Sequence, residues 1–209
     1  MSNAHTLFMN AWARCDMLSA MQAYLANATT AALSTDELLR AEWVARVAAL
    51  DLYVHELVAE RMLEIFSGKR PATPAYSAFT ISLSTLDRIQ NAPSTYDANA
   101  AFDLEVRRQL GYITYQGHEA IANGVRLIST IELWNSVAIH LGATKATMQA
   151  KAKGLRGTLS VIVERRNKIA HEGDMTPVSP RTPWPISAGD VASVRTFIEQ
   201  LVNAMEVVC

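Results

Sequence analysis

The chain has 209 residues, of which 50% are hydrophobic and 19% are charged, and its 19 Lys and Arg against 20 Asp and Glu leave a formal net charge of −1. A chain of this length and apolar content buries a large core, which excludes intrinsic disorder as its main state. The balanced charge excludes a globally basic, histone-like binder of nucleic acid, although a local basic site is compatible with it.

Cysteine usage and hydropathy predict a cytoplasmic location. Cys15 and Cys209 lie at opposite ends of the chain and form neither a disulfide framework nor a set of metal ligands, which fits a reducing compartment. The N-terminal residues lack the basic region and long apolar core of a signal peptide. No stretch reaches the roughly 18 uninterrupted apolar residues of a membrane span. We therefore expect no membrane partner. The sequence contains no H-E-x-x-H, P-loop or dinucleotide-binding motif, so we expect no metal and no cofactor.

Helical periodicity dominates the chain, and strand-like alternation is almost absent. The first predicted helix covers about Ala4 to Ala26, which is rich in Ala, Met and Leu. The segment 27–33 then breaks the helix, and a capping box formed by Ser34 and Glu37 predicts the start of a long helix that ends at about Phe66. Its predicted buried stripe consists of Leu39, Trp43, Val47, Leu50, Val54, Leu57 and Ile65.

The second half of the chain predicts several shorter helices. Residues 68–80 contain two prolines and no clear period, so they are predicted as a loop. Four prolines predict another loop from Gly173 to Ser187, and Ser187 with Asp190 offers a cap for a final helix. The predicted helices between these points are 83–90, 99–110, 119–130, 131–141 and 147–171. The pattern predicts one all-α domain, with residues 1–33 as an N-terminal helix and connector and 34–209 as the main helical bundle with extra short helices.

A basic residue interrupts the apolar stripe of the predicted helix 147–171. With about 100° of rotation per residue, Leu155, Leu159, Ile162 and Ile169 fall within about 40° of one direction, and Arg166 lies among them. Burying an uncompensated guanidinium costs several kcal/mol, so something must stabilise it. A buried carboxylate, a subunit interface with a polar pocket and a cleft that receives phosphate are the three candidates.

The segment around this arginine resembles the signature of the HEPN superfamily. That signature is an Arg, usually followed by a polar residue, and a His four to six residues beyond the Arg; here Arg166-Asn167-Lys168-Ile169-Ala170-His171 has the four-residue spacer. The order of three features along the chain is similar to the RiboL-PSP-HEPN family. These features are the long helix with Ala49-Leu50-Asp51-Leu52-Tyr53-Val54-His55-Glu56-Leu57, Trp134 in a later helix, and ERRNKIAHEGD before a proline-rich loop. The resemblance covers about residues 34–207 and implies an all-α HEPN-like helical bundle.

The resemblance also implies a metal-independent endoribonuclease that acts as a toxin or defence effector, with a possible cognate antitoxin. His171 would transfer protons, since an unperturbed His titrates near pH 6.5. Arg166 would bind phosphate oxygens and stabilise the charge of the transition state. Asn167 would orient the phosphate or His171. HEPN toxins that a partner modifies often carry a Tyr two residues after the His, where this chain has Gly173, so neutralisation by that route is not expected.

Helix geometry does not place the two motif residues on one face. Five residues of ideal helix rotate His171 by about 140° from Arg166. The helix therefore bends or ends before His171, or residues from two chains complete one site. HEPN proteins are known as dimers whose motifs face each other, so the resemblance implies a homodimer.

Local charge and a neighbouring pair of polar residues extend the candidate site. Seven basic residues and one acid lie between Lys145 and Lys168, and a patch of this sign attracts RNA phosphates. Asp51 and His55, four residues apart on the long helix, are candidates for support from a neighbouring helix. The predicted supporting and RNA-binding residues are Arg165, Lys168, Asp51, His55, Lys151, Lys153 and Arg156.

A second hypothesis belongs to a different class. The domain could bind RNA, a nucleotide or a partner protein without cutting, as a regulator or adaptor. An intact Arg/His pair favours the enzyme, because a binding module does not need a proton-transfer group beside the arginine.

Overall fold

The computed structural model describes residues 1–30 and 33–209, and within them the chain is all-α, as predicted. One isolated bridge, between Met175 and Pro183, is the only β pairing in these residues. The helices are α1 (Asn3–Ala28), α2 (Asp36–Phe66), α3 (Pro74–Ser77), α4 (Leu83–Gln90), α5 (Thr95–Leu110), α6 (His118–Ile128), α7 (Leu133–His140), α8 (Met148–Glu172) and α9 (Ala188–Val208).

The long helix α2 is the centre of the bundle. It packs against α1, α5, α6, α8 and α9, and α7 in turn packs between α8 and α9. All seven residues of the predicted stripe are buried, which confirms that prediction. Arg46, Tyr53 and Met62 are completely buried as well, and they flank the stripe on both of its edges. Because neighbours surround α2 on several sides, it buries more than the one stripe that its periodicity indicates.

A buried ion pair fastens α1 to α2. The Arg46 guanidinium donates to a Glu42 carboxylate oxygen at 2.6 and 2.8 Å and to the Asp16 carboxylate at 2.9 Å. It also lies 4.4 Å from the ring centroid of Trp12. Ser19 of α1 donates to the same Glu42 oxygen at 2.5 Å. Breaking such a pair by removing one partner strongly destabilises a fold, because it leaves a buried charge unmatched.

Several predicted helix starts are wrong, and local hydrogen bonds explain each difference. The Ser34–Glu37 capping box does not form, because the Ser34 hydroxyl accepts from the Asp36 amide at 3.4 Å and α2 starts after Thr35. Helix α5 begins at Thr95 rather than 99, because Ser94 caps it. The short helix α3 lies inside the predicted loop 68–80, where the Thr73 hydroxyl accepts from the Tyr76 amide at 3.0 Å. Residues 31 and 32 of the predicted break lie outside the described residues.

The predicted helix ends agree better with the structure. Helix α2 ends at Phe66 before Ser67-Gly68, and α8 ends at Glu172 before Gly173, which adopts φ +66°. The predicted box at the start of α9 forms: Ser187 Oγ accepts from the Asp190 amide at 3.2 Å, and the Asp190 carboxylate accepts from the Ser187 amide at 2.9 Å. Within residues 1–30 and 33–209, no helix combines the length and apolar character needed to cross a membrane.

Replacing Ser187 by Ala is expected to destabilise the protein by about 1 kcal/mol, because the first turn of α9 loses the hydroxyl that satisfies an amide. Urea denaturation followed by circular dichroism measures the change. The matched control is Ser193→Ala, whose hydroxyl only bonds back to the Gly189 carbonyl within the helix. An equal loss in both variants would contradict a specific role for the cap.

Candidate functional site

Helix α2 positions the second half of α8, which carries the Arg-x4-His segment. The Trp43 indole of α2 donates to the Ile162 carbonyl of α8 at 3.0 Å, and Leu159 and Ile162 are buried at this contact. The Asp174 amide then donates to the Lys168 carbonyl at 3.0 Å across the left-handed Gly173. This is the arrangement of a helix C-terminus closed by glycine, so the end of α8 is fixed.

A buried carboxylate joins α2, α8 and the proline-rich loop. Asp174 is 1% exposed, and its Oδ2 accepts from Arg40 of α2 at 3.2 Å and from Arg165 of α8 at 3.1 Å. The same two guanidinium groups donate to loop carbonyls, from Arg40 to Trp184 and from Arg165 to Pro185, both at 2.7 Å. We call Arg40, Asp174 and Arg165 the aspartate clamp. It holds the loop against the end of α8, and Arg165, predicted as a supporting residue, belongs to it.

Arg166 differs from its neighbour Arg165 in having no carboxylate partner among the residues that the structure describes. Its side chain is half-buried, and its Nη1 donates to Asn167 Oδ1 at 3.0 Å. Its Nε is buried and finds no acceptor within the described ranges. The first of the three candidate explanations, a buried carboxylate, therefore applies to Arg165 and not to Arg166.

His171 lies in the last turn of α8 and is exposed. Helix α8 remains helical through His171, so the possibility that the helix ends before this residue is wrong. In an unbroken helix, Arg166 and His171 point about 140° apart. No hydrogen bond or ion pair connects them in the described part of the chain, and the structure does not bring them together within one chain.

Asp51 and His55 act on a different segment. The Asp51 carboxylate accepts from the Tyr115 amide at 2.5 Å and from the Gln116 side chain at 3.1 Å, and His55 Nε2 lies 3.6 Å from it. The His55 ring packs edge-on against Tyr115, with centroids 4.6 Å apart. Burial, with the nearby Asp51 charge, raises the pKa of Tyr115 to about 12. Asp51 and His55 therefore fix the segment between α5 and α6. Within the described residues, neither makes a hydrogen bond or an ion pair to Arg166 or His171.

The predicted basic patch divides into two groups. Lys168 pairs with Glu164 at 3.0 Å, and the Lys151 ammonium donates to the Leu141 carbonyl. Lys153 and Arg156 are exposed and have no carboxylate within ion-pair distance in the described ranges. These two residues line a cleft between α6, α7 and α8.

This α6–α8 cleft consists of two adjoining hollows of about 530 and 370 Å³, which share Glu132, Trp134 and Arg156. Trp134 is buried and donates its indole N–H to the His118 carbonyl at 3.1 Å, so it forms the floor and ties α7 to α6. Arg126 lines the second hollow. Sequence reasoning missed Arg126, because no local pattern connects it with Arg156, which lies 30 residues later.

Replacing Asp174 by Asn is expected to destabilise the protein by about 3–5 kcal/mol, because two guanidinium groups lose a buried counter-charge. Asn tolerates the positive φ of 55° at this position, so the backbone is not the cause. Urea denaturation measures the loss. Glu172→Gln, an exposed carboxylate two residues away, serves as the control and should change stability by less than about 0.5 kcal/mol. Near-equal stabilities of the two variants would contradict the clamp.

Comparison with known proteins gives one match. A family model described as RiboL-PSP-HEPN matches residues 14–209. The match includes α2 to α9 and begins within α1, earlier than residue 34, where the sequence resemblance begins. No curated protein and no solved structure matches the chain.

Proposed function

Because the chain belongs to the RiboL-PSP-HEPN family, which indicates a nuclease-like or RNA-related function, we propose that it is a metal-independent endoribonuclease. Arg166 and His171 carry the reaction in this proposal, and Asn167 orients them. The observation that carries it is the state of Arg166: a half-buried guanidinium that, among the described residues, has no carboxylate partner and donates one side-chain hydrogen bond, to Asn167. A phosphate would supply the missing counter-charge to the guanidinium.

The proposed reaction is attack of an RNA 2′-oxygen on the adjacent phosphorus. His171 removes the 2′-hydroxyl proton, the new P–O bond forms a 2′,3′-cyclic phosphate, and the bond to the 5′-oxygen breaks. Arg166 neutralises the charge that accumulates on the phosphoryl oxygens. The leaving 5′-oxygen takes a proton from solvent water, and the protonated His171 returns its proton to the solvent, so one Arg166 and one His171 complete the reaction.

A homodimer with a composite site fits the separation of the two side chains. Since Arg166 and His171 diverge by about 140° on one helix, an Arg from one chain and a His from another can face the same phosphate. An open apolar groove of about 490 Å³ between α8 and α9 supports such pairing, since Gly154, Gly157 and the 66% exposed Val161 line it. A second copy would cover this apolar surface.

His171→Ala is expected to lower the single-turnover cleavage rate by about 10²–10⁴-fold, because proton transfer is lost. Arg166→Ala should lower it by about 10²–10³-fold through lost charge stabilisation. The measurement incubates labelled tRNA and single-stranded RNA with each protein in excess EDTA and maps the product ends.

Matched controls are His140→Ala and Arg88→Ala, an exposed His at the end of α7 and an exposed Arg of α4, both outside the proposed site. They should cut as fast as the wild type. Cleavage that survives both His171→Ala and Arg166→Ala would contradict the assignment of these two residues. Cleavage that occurs only when a metal ion is added would contradict the metal-independent chemistry.

Co-expressing the Arg166→Ala and His171→Ala chains tests the composite site separately. A random mixture of two-fold dimers should regain about a quarter of the wild-type sites, because half of the dimers are mixed and each mixed dimer holds one intact site. The mass of the mixed dimer and its cleavage rate are the measurements. If dimers shown by mass to be mixed cut RNA no faster than either variant alone, the composite site is excluded. The assignment of Arg166 and His171 would not be affected by that result.

A non-catalytic domain that binds RNA, a nucleotide or a partner protein is the second candidate. The absence of contact between Arg166 and His171 in the described residues favours it, because a binding site does not need proton transfer near the arginine. If this candidate is right, neither the wild type nor any variant gives cleavage products. RNA still binds to the wild type, and Arg166→Ala weakens that binding.

A toxin or defence role follows from the proposed cleavage of cellular RNA. Induced expression of the wild type in a bacterial host should arrest growth, and His171→Ala should not. A neutralising antitoxin, if one exists, would be a binding protein, because Gly173 replaces the Tyr that a modifying partner would use.

A further inference from the structure

The α6–α8 cleft carries charges that the proposed reaction does not use. Arg126, Lys153 and Arg156 line it together with Glu119 and Glu132. All five side chains are exposed, and none makes an ion pair within the described residues. Arg126 contacts only the Asn123 side chain, and Arg156 only the Ala152 carbonyl of its own helix, at 3.4 Å. Within the described residues, three cations and two carboxylates therefore face the cleft without forming ion pairs with one another.

Helix geometry connects this cleft to the Arg-x4-His segment. Eleven residues separate Arg156 from Asn167, which places them within about 20° of each other and about 16 Å apart along α8. Eighteen residues separate Lys153 from His171, which puts both on one line, about 27 Å apart. Between them this face of α8 is polar and exposed at Ser160 and Glu164, and Lys168 offsets the charge of Glu164, with which it pairs at 3.0 Å. A ligand strand can follow it from the cleft to His171.

The positive and negative side chains that line the cleft indicate which class of ligand fits it. Cations bind phosphates, whereas the two carboxylates can accept hydrogen bonds only from donors such as the amino groups of cytosine or adenine. Those groups are free when the bases are unpaired, and a duplex would bring a second row of phosphates toward the carboxylates. Single-stranded RNA is the ligand whose chemistry suits both.

We propose that the α6–α8 cleft is a subsite for the single-stranded flank of the RNA substrate, in which Arg126, Lys153 and Arg156 hold phosphates and Glu119 and Glu132 contact bases. The inference rests on the proposed RNA function and extends it by a recognition site away from the bond that is cut. At 3.4 Å per stacked nucleotide, the 16 Å between Arg156 and Asn167 corresponds to about five nucleotides. An extended strand spans this distance with fewer nucleotides, but a dinucleotide that occupies the cleavage site, with its single internal phosphate, does not reach the cleft.

The test uses the full chain with Arg126→Glu, Lys153→Glu and Arg156→Glu combined. A charge-matched control combines Arg14→Glu, Lys69→Glu and Arg88→Glu, which are exposed and lie outside the cleft. Binding of a 12-nucleotide single strand is measured in the His171→Ala background at several salt concentrations. Relative to the control, the cleft variant should bind about 10–100-fold more weakly, and its salt slope should fall by about 2, since each lost phosphate contact removes about 0.7.

A second measurement compares substrate lengths in the active protein. The cleft variant should lower kcat/KM for the 12-nucleotide RNA and leave it unchanged for a dinucleotide. A neutral set, Arg126→Gln, Lys153→Gln and Arg156→Gln, checks that charge reversal has not disturbed the fold and should show a smaller loss in the same direction.

The outcomes separate this inference from the proposed cleavage. Equal binding by the cleft variant and its control would overturn the subsite whether or not the protein cuts RNA. Equal losses for both RNA lengths, or displacement of the long strand by inorganic phosphate or a mononucleotide alone, would also overturn it. If the wild type never cuts but the cleft variant binds the 12-nucleotide strand more weakly, the endoribonuclease proposal fails and the subsite stands.

Discussion

The position of the candidate site depends on one buried carboxylate. Asp174 receives Arg40 from α2 and Arg165 from α8, and the same arginines hold the carbonyls of the proline-rich loop. A carboxylate at this depth requires the two cations, and the cations in turn require it, so the three elements are fixed together. The end of α8, with Arg166 and His171, is thereby placed on a rigid support.

The two adjacent arginines Arg165 and Arg166 differ in their surroundings, which is how one helix can support both the fold and the proposed site. Arg165 is neutralised by Asp174 and lies 5.2 Å from the ring centroid of Trp43, so it stabilises the fold. Arg166, the next residue of α8, is half-buried. Among the described residues, its side chain hydrogen-bonds only to Asn167. A cation without a counter-charge keeps its attraction for an anion, and this is the physical basis of the proposed phosphate contact. The cations of the α6–α8 cleft likewise form no ion pair among the described residues, although two carboxylates line the same cleft.

Periodicity, glycine and proline predicted most of the fold. The buried stripe of α2, the ends of α2 and α8 and the cap of α9 are local consequences of the residues at those positions. The failures were also local: Ser34 and Ser94 both suit a helix cap, and only the second provides one. Which of several competing hydroxyls caps a helix depends on the path of the chain that precedes it.

The sequence by itself determined the longer helices, the unusual position of Arg166 in an apolar stripe and the resemblance of the Arg166–His171 segment to the HEPN signature, because each depends on spacing within one segment. Only the tertiary structure decided which charges are neutralised. It paired Arg165 rather than Arg166 with a carboxylate, directed Asp51 and His55 to the segment before α6, and brought Arg126 into one cleft with Lys153 and Arg156. Those pairings join residues far apart in the chain, and their energies depend on burial and distance, which spacing along a sequence does not specify.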